Sequence, residues 1–133
     1  MDQATLVDSL KVDGKRLLDR LAEDGIAVAA CWLRGTEEGQ WFLYIATPLV
    51  NEEGATMAAY RRVNAVMREM PSPFSINPLE VRVVSSGSPL AKAVEELFRR
   101  YNGRIPTRAG GGQFGGLSID DSYVYPPITA TVP

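Results

Sequence analysis

Residues 99–116, RRYNGRIPTRAGGGQFGG, gather four arginines and six of the chain's twelve glycines with no acid. Glycines let successive backbone N–H groups turn toward an anion without side-chain obstruction, and guanidinium groups fork onto phosphate oxygens. Arg104 and Arg108, with the amides of Gly110, Gly111, Gly112, Gly115 and Gly116, are therefore the candidate site for an anionic ligand such as a nucleotide, a phosphate or a nucleic acid. Arg99 and Arg100 have a competing use, because Glu95–Arg99 and Glu96–Arg100 are i,i+4 pairs in the favourable orientation. The rival reading of the whole stretch is a connector or hairpin turn whose glycines serve backbone geometry.

A secondary anion candidate is Ser86, Gly87 and Ser88, where a strand runs through a short Ser/Gly loop into a helix. Exposed amides and the helix dipole favour negative charge at such a point. Ordinary capping by Ser88, with Pro89 at the first helical position, explains the same residues and is the preferred reading.

The string Gly110-Gly111-Gly112-Gln113-Phe114-Gly115 matches GxGxxG, but a dinucleotide fold needs that motif between a strand and a helix. Here the continuation, LSIDDSYVY, has strand character. Gly110-x-Gly112-x-Phe114-Gly115 resembles the glycine-rich loop of protein kinases, which lies in a β-hairpin; the resemblance covers about six residues. No kinase catalytic loop or metal-binding motif follows in this sequence, so the resemblance does not extend to kinase activity.

Catalysis finds little support. The chain has no histidine, which excludes Ser-His and Cys-His nucleophile pairs and any His-containing metal site. Cys31 lies in the most apolar run and reads as a buried, inert thiol. The acid pairs Glu37-Glu38, Glu52-Glu53 and Asp120-Asp121 fall in expected turns, where solvated acids are common. No cofactor motif and no metal site are expected.

Composition sets the frame. With 133 residues, 45% hydrophobic and 23% charged, the chain is expected to form one domain over 1–125, with an extended tail over 126–133. The longest apolar run, over 26–33, is too short to span a bilayer, and the N-terminus lacks a signal-peptide pattern, so no membrane partner is expected. A single cysteine fits a reducing compartment, and the cytoplasm is the default expectation. Net charge is −2, yet residues 1–56 carry ten acids and five bases, and residues 57–116 carry four acids and nine bases. Complementary packing of the two halves explains this more simply than a charged partner site. Nucleic acid is not favoured: arginines and aromatics suit single strands, but the chain is acidic overall and has only three lysines.

The elements follow from periodicity. Leu6, Leu10, Leu17, Leu18 and Leu21 mark a first helix, with Thr5-x-x-Asp8 as a capping box and Gly25 as the stop. Gly14, on the apolar stripe, either allows close packing or divides the segment. IAVAACWL and WFLYIAT read as a hairpin, and the first strand, apolar on both faces, belongs in the centre of a sheet. Its alanines would let a helix pack closely. Met57, Tyr60, Val63, Met67 and Met70 mark a second helix with a core-facing stripe. A proline-bracketed connector leads to the strand LEVRVVS. Leu90, Val94, Leu97, Phe98 and Tyr101 mark a third helix, and a last hairpin is expected to turn at Asp120-Asp121. The order α-β-β-α-β-α-β-β predicts an α+β fold, a single sheet of about five strands with helices mainly on one face. The second functional reading is a protein-interaction or self-associating subunit, a homo-oligomer included, using the C-terminal hairpin and arm.

Overall fold

Helices α1 (Asp8–Glu23), α2 (Ala55–Glu69) and α3 (Pro89–Arg100) pack on one sheet of β1 (Ala29–Gly35), β2 (Trp41–Thr47), β3 (Val81–Ser85), β4 (Gly112–Phe114) and β5 (Leu117–Val124). The computed structural model describes residues 6–37, 39–50, 55–100, 107 and 112–127. The strand order is β3-β2-β1-β5-β4. Only β2 and β3 pair in parallel, as the intervening α2 crossover permits; the other neighbours are antiparallel. This is the α+β arrangement and element order that the periodicity predicts. No helix among the described residues is long and apolar enough to cross a membrane.

Strand alternation divides the core. Ala30, Trp32, Leu43, Ile45, Val81 and Val83 face α1 and α2, which contribute Leu17, Leu18, Leu21, Val63, Val66 and Met67. Cys31, Leu33, Ile119 and Val124 face the other way and are covered by Leu90 and Val94 of α3. Two helices thus share one face and the third seals the opposite one, which is why β1 is apolar on both sides. On α2 the expected stripe is incomplete, because Met57 is 63% exposed while Met67 is buried.

The first helix departs from its predicted start. Val7 occupies the cap position with no side-chain cap, and Asp8 is the first helical residue rather than the third. Burial of Leu6 in the core anchors the entry instead. Thr5 lies outside the described residues. Gly25 ends the helix as expected, with φ +85°.

Gly14 resolves as close packing within an unbroken helix. Beneath it, Tyr125 donates its hydroxyl to Lys11 O at 2.6 Å and accepts from Trp32 Nε1 at 3.1 Å. Tyr125 is 1% exposed, so the residue just after β5 is stapled between α1 and the sheet. Asp13, which the helical wheel places away from the apolar stripe, is only 5% exposed. Its carboxylate accepts from Arg16 Nη1 at 2.8 Å and from the Ser75 amide at 2.6 Å. Arg16 also donates to Pro71 O and Pro73 O, each at 2.8 Å. Together these bonds lash the proline-rich connector to α1.

Two buried acids make stability depend on alkaline pH. Burial pushes the Cys31 thiol and, more than any neighbour does, the Tyr125 hydroxyl well above their ordinary values. The folded state then holds protons that the unfolded chain releases above about pH 8.5 for cysteine and about 10 for tyrosine. Stability should therefore be flat through neutral pH and fall above about pH 9, by up to ~1.4 kcal/mol per pH unit per group. Urea midpoints measured from neutral to alkaline pH check this, and Cys31→Ala should delay the onset by about one pH unit.

Candidate functional site

The arginine- and glycine-rich segment is only partly described. Arg104, Arg108, Gly110 and Gly111 lie outside the described residues, while Gly112 begins β4 and Gly115-Gly116 form the β4–β5 turn. The hairpin therefore turns at Gly115-Gly116, not at Asp120-Asp121. With φ of +59° and +82°, these glycines supply the two positive φ angles that a tight hairpin turn demands. Gly115 also sits against α3, where an added Cβ would lie 2.6 Å from Leu90 Cα. Gly116 meets open space. Gly115→Ala should accordingly cost about 2 kcal/mol from clash and strain together, and Gly116→Ala about 1 kcal/mol from its positive φ alone. Denaturant unfolding of the two variants measures the difference.

Thr107 exchanges two backbone hydrogen bonds with Val124, both at 2.8 Å. Gly112 pairs with Ile119. Thr107 with Val124 and Gly112 with Ile119 share the same antiparallel offset, so both flanks of residues 108–111 pair with β5 at the sheet edge. Beside this edge, a groove of about 250 Å³ runs between α3 and β4, lined by Leu97, Arg100, Gln113 and Phe114 among others. Arg99 and Arg100 both reach Glu96, at 2.7 and 3.6 Å. The expected Glu95–Arg99 pair does not form, because Arg99 turns to the nearer i,i+3 acid. Glu95 has no ion pair among the described residues.

The other arginines of the basic middle stand elsewhere. Arg61, Arg62 and Arg68 are exposed on α2, across the sheet from α3, and Arg62 reaches Asp24 at 3.8 Å. Arg82 lies on β3 with its guanidinium 3.9 Å from the centre of the Phe42 ring. The Tyr60 hydroxyl accepts from the Val83 amide at 3.0 Å, capping an N–H on the β3 edge. Tyr101 lies outside the described residues.

In the loop before α3, internal bonds take the amides that an anion would need. Ser86 N–H bonds Thr47 O, Gly87 N–H bonds Ser85 Oγ, and Ser88 N–H bonds Ser85 O. Ser88 caps the helix by accepting from the Ala91 amide at 3.3 Å. Ser86 instead lines an apolar cleft of about 190 Å³ beneath α3, shared with Ala27, Ala29, Ala46, Ala91 and Glu95.

Of the acid pairs, Asp120-Asp121 alone lies wholly within the described residues. Glu38, Glu52 and Glu53 lie outside the described residues. Asp120 and Asp121 are inside β5, at a register shift opposite Arg34 and Gly35. Asp120 is 3.9 Å from Arg34 Nη2, whereas Asp121 is 5% exposed and bonds the Ser122 amide. Two adjacent residues facing one partner form a bulge, which re-aims side chains locally. Next to it, Arg34 and Trp41 are cross-strand partners, and Arg34 Nε and Trp41 Nε1 are buried with no hydrogen-bond partner among the described residues. No cluster of three acidic, cysteine or histidine ligands occurs among the described residues. Cys31 is buried, as expected.

Sequence reasoning missed the alanine-lined cleft and the release of Glu95. The signal for the first was present in Ala27 and Ala29, read only as an allowance for close helix packing. The second depends on rotamer choices that spacing does not encode. No family model matches this chain, and no curated protein or solved structure matches it either.

Proposed function

We propose that this chain is a non-catalytic binding domain that takes an anionic ligand at the edge of its sheet. Arg104 and Arg108 hold the anion, and the neighbouring glycine amides complete the seat. The observation that supports this reading is the anchoring of Thr107 and Gly112 on β5 in one register, which sets a rigid base on both sides of Arg108. The Arg99 and Arg100 side chains at the end of α3 add positive charge beside it, moderated by Glu96. Phosphate-bearing ligands, nucleotides or nucleic acid, are the class that this chemistry fits. Stabilisation by such a ligand should fade steeply between low and moderate salt and be lost in Arg108→Ala.

A second reading, self-association or strand addition through the C-terminal hairpin and arm, is favoured by the unequal sheet edges. Tyr60 caps an N–H on the β3 edge, while β4 ends the sheet on the other side. Light scattering on the full chain and on a chain lacking residues 126–133 tests it: association that survives the deletion contradicts a role for the arm.

A further inference from the structure

The apolar cleft beneath α3 has the size and chemistry of a small-molecule site, independent of the sheet edge. Its floor is the start of β1 and the end of β2, where Ala29 and Ala46 face each other across the ladder. Its wall is the first turns of α3, where Ala91 and Glu95 stand four residues apart on one side of the helix. Small side chains at Ala27, Ala29, Ala46 and Ala91 leave about 190 Å³ unfilled. An apolar cavity of about 150 Å³ suffices for a benzene ring.

Charge decides what kind of ring or chain enters. Among the described residues of the lining, Glu95 is the one charged side chain and Ser86 the one with a hydroxyl. Arg99, the arginine that could neutralise Glu95 from the next turn, is drawn to Glu96 instead. A carboxylate at the mouth of an apolar cleft complements a ligand with an apolar body and a cationic head. The same carboxylate repels an organic acid of equal size.

We infer that this cleft binds a small organic ammonium ion, with its hydrocarbon part against the alanines and its nitrogen paired with Glu95. Benzylamine, benzyl alcohol and benzoate share a ring and differ in head-group charge, so they separate burial from charge. Titrated into the full chain near neutral pH and followed by amide chemical shifts, benzylamine should move Ala27, Val28, Ala29 and Ala91 in a saturable manner. Its affinity should exceed that of benzoate at least ~10-fold, a difference of about 1.4 kcal/mol. Glu95→Gln removes the charge from an exposed side chain and should bring the amine down to the level of the alcohol while leaving the fold intact. Equal affinity of amine and acid, or no saturable shift at ~10 mM benzylamine, overturns the proposal; the latter is also the result if the chain's own C-terminal residues fill the cleft.

Discussion

Gly14→Ala should destabilise the protein by about 2 kcal/mol, although the same change inside an ordinary helix stabilises by about 1 kcal/mol. A methyl group at position 14 would enter the space of the Tyr125 hydroxyl and stand 2.9 Å from Tyr125 Cζ and 3.1 Å from Trp32 Nε1. A tyrosine at the surface would swing aside at little cost. This one is buried and bonded at its hydroxyl to both Lys11 O and Trp32 Nε1, so moving it breaks two hydrogen bonds in the core. For a domain of this size the loss corresponds to a fall of roughly 10 °C in Tm. Tyr125→Phe, which removes the closest atom, should be destabilising alone yet should recover part of the loss in the double variant, giving a coupling of about 1 kcal/mol. A Gly14→Ala protein more stable than the parent would show that α1 does not rest on Tyr125.

The second large effect is expected at Asp13. Removing the carboxylate in Asp13→Ala leaves the Ser75 amide without its acceptor and Arg16 without its counter-charge. Breaking a buried ion pair by deleting one member costs about 3–5 kcal/mol, and the partial exposure of Arg16 brings the expectation to about 2–3 kcal/mol. Asp13→Asn keeps an acceptor for Ser75 and should cost about half as much. Arg16→Ala should loosen the same connector through the carbonyls of Pro71 and Pro73. Amide exchange localises the effect: Ser75 should lose protection in all three variants, whereas Leu43 and Ile45 in the central sheet should follow only the global stability. Unchanged protection at Ser75 in Asp13→Ala would contradict the latch.

These two sites show where sequence reasoning reaches and where it stops. Period and punctuation predicted the three helices, the α+β order and the central position of β1, because burial of alternate residues leaves a direct mark in the chain. Long-range polar contacts leave none. Asp13 reads as a surface acid because its partner at Ser75 is 62 residues away. The last hairpin was displaced for a related reason: Asp120-Asp121 and Gly115-Gly116 both have turn chemistry, and the contact of Gly115 with Leu90, which favours the glycines, is tertiary. At the candidate site, Gly115 and Gly116 are already accounted for by turn geometry and close packing. Ser88 is accounted for by capping. What the anion reading retains is the arginine content and the anchored flanks of residues 108–111.

An anion seated on that edge binds the folded chain alone, so thermal unfolding at low salt reports it. The panel is ATP, GTP, a single-stranded oligonucleotide and a duplex, each measured with the parent chain, Arg104→Ala and Arg108→Ala. A ligand present at ~100 times its Kd stabilises the native state by about 2.7 kcal/mol, so binding of even modest affinity raises the midpoint visibly. The midpoint should rise with at least one phosphate-bearing member, and the rise should be reduced by salt and lost in the arginine variants. No shift with any member, or a shift that both variants retain in full, would contradict binding at that edge.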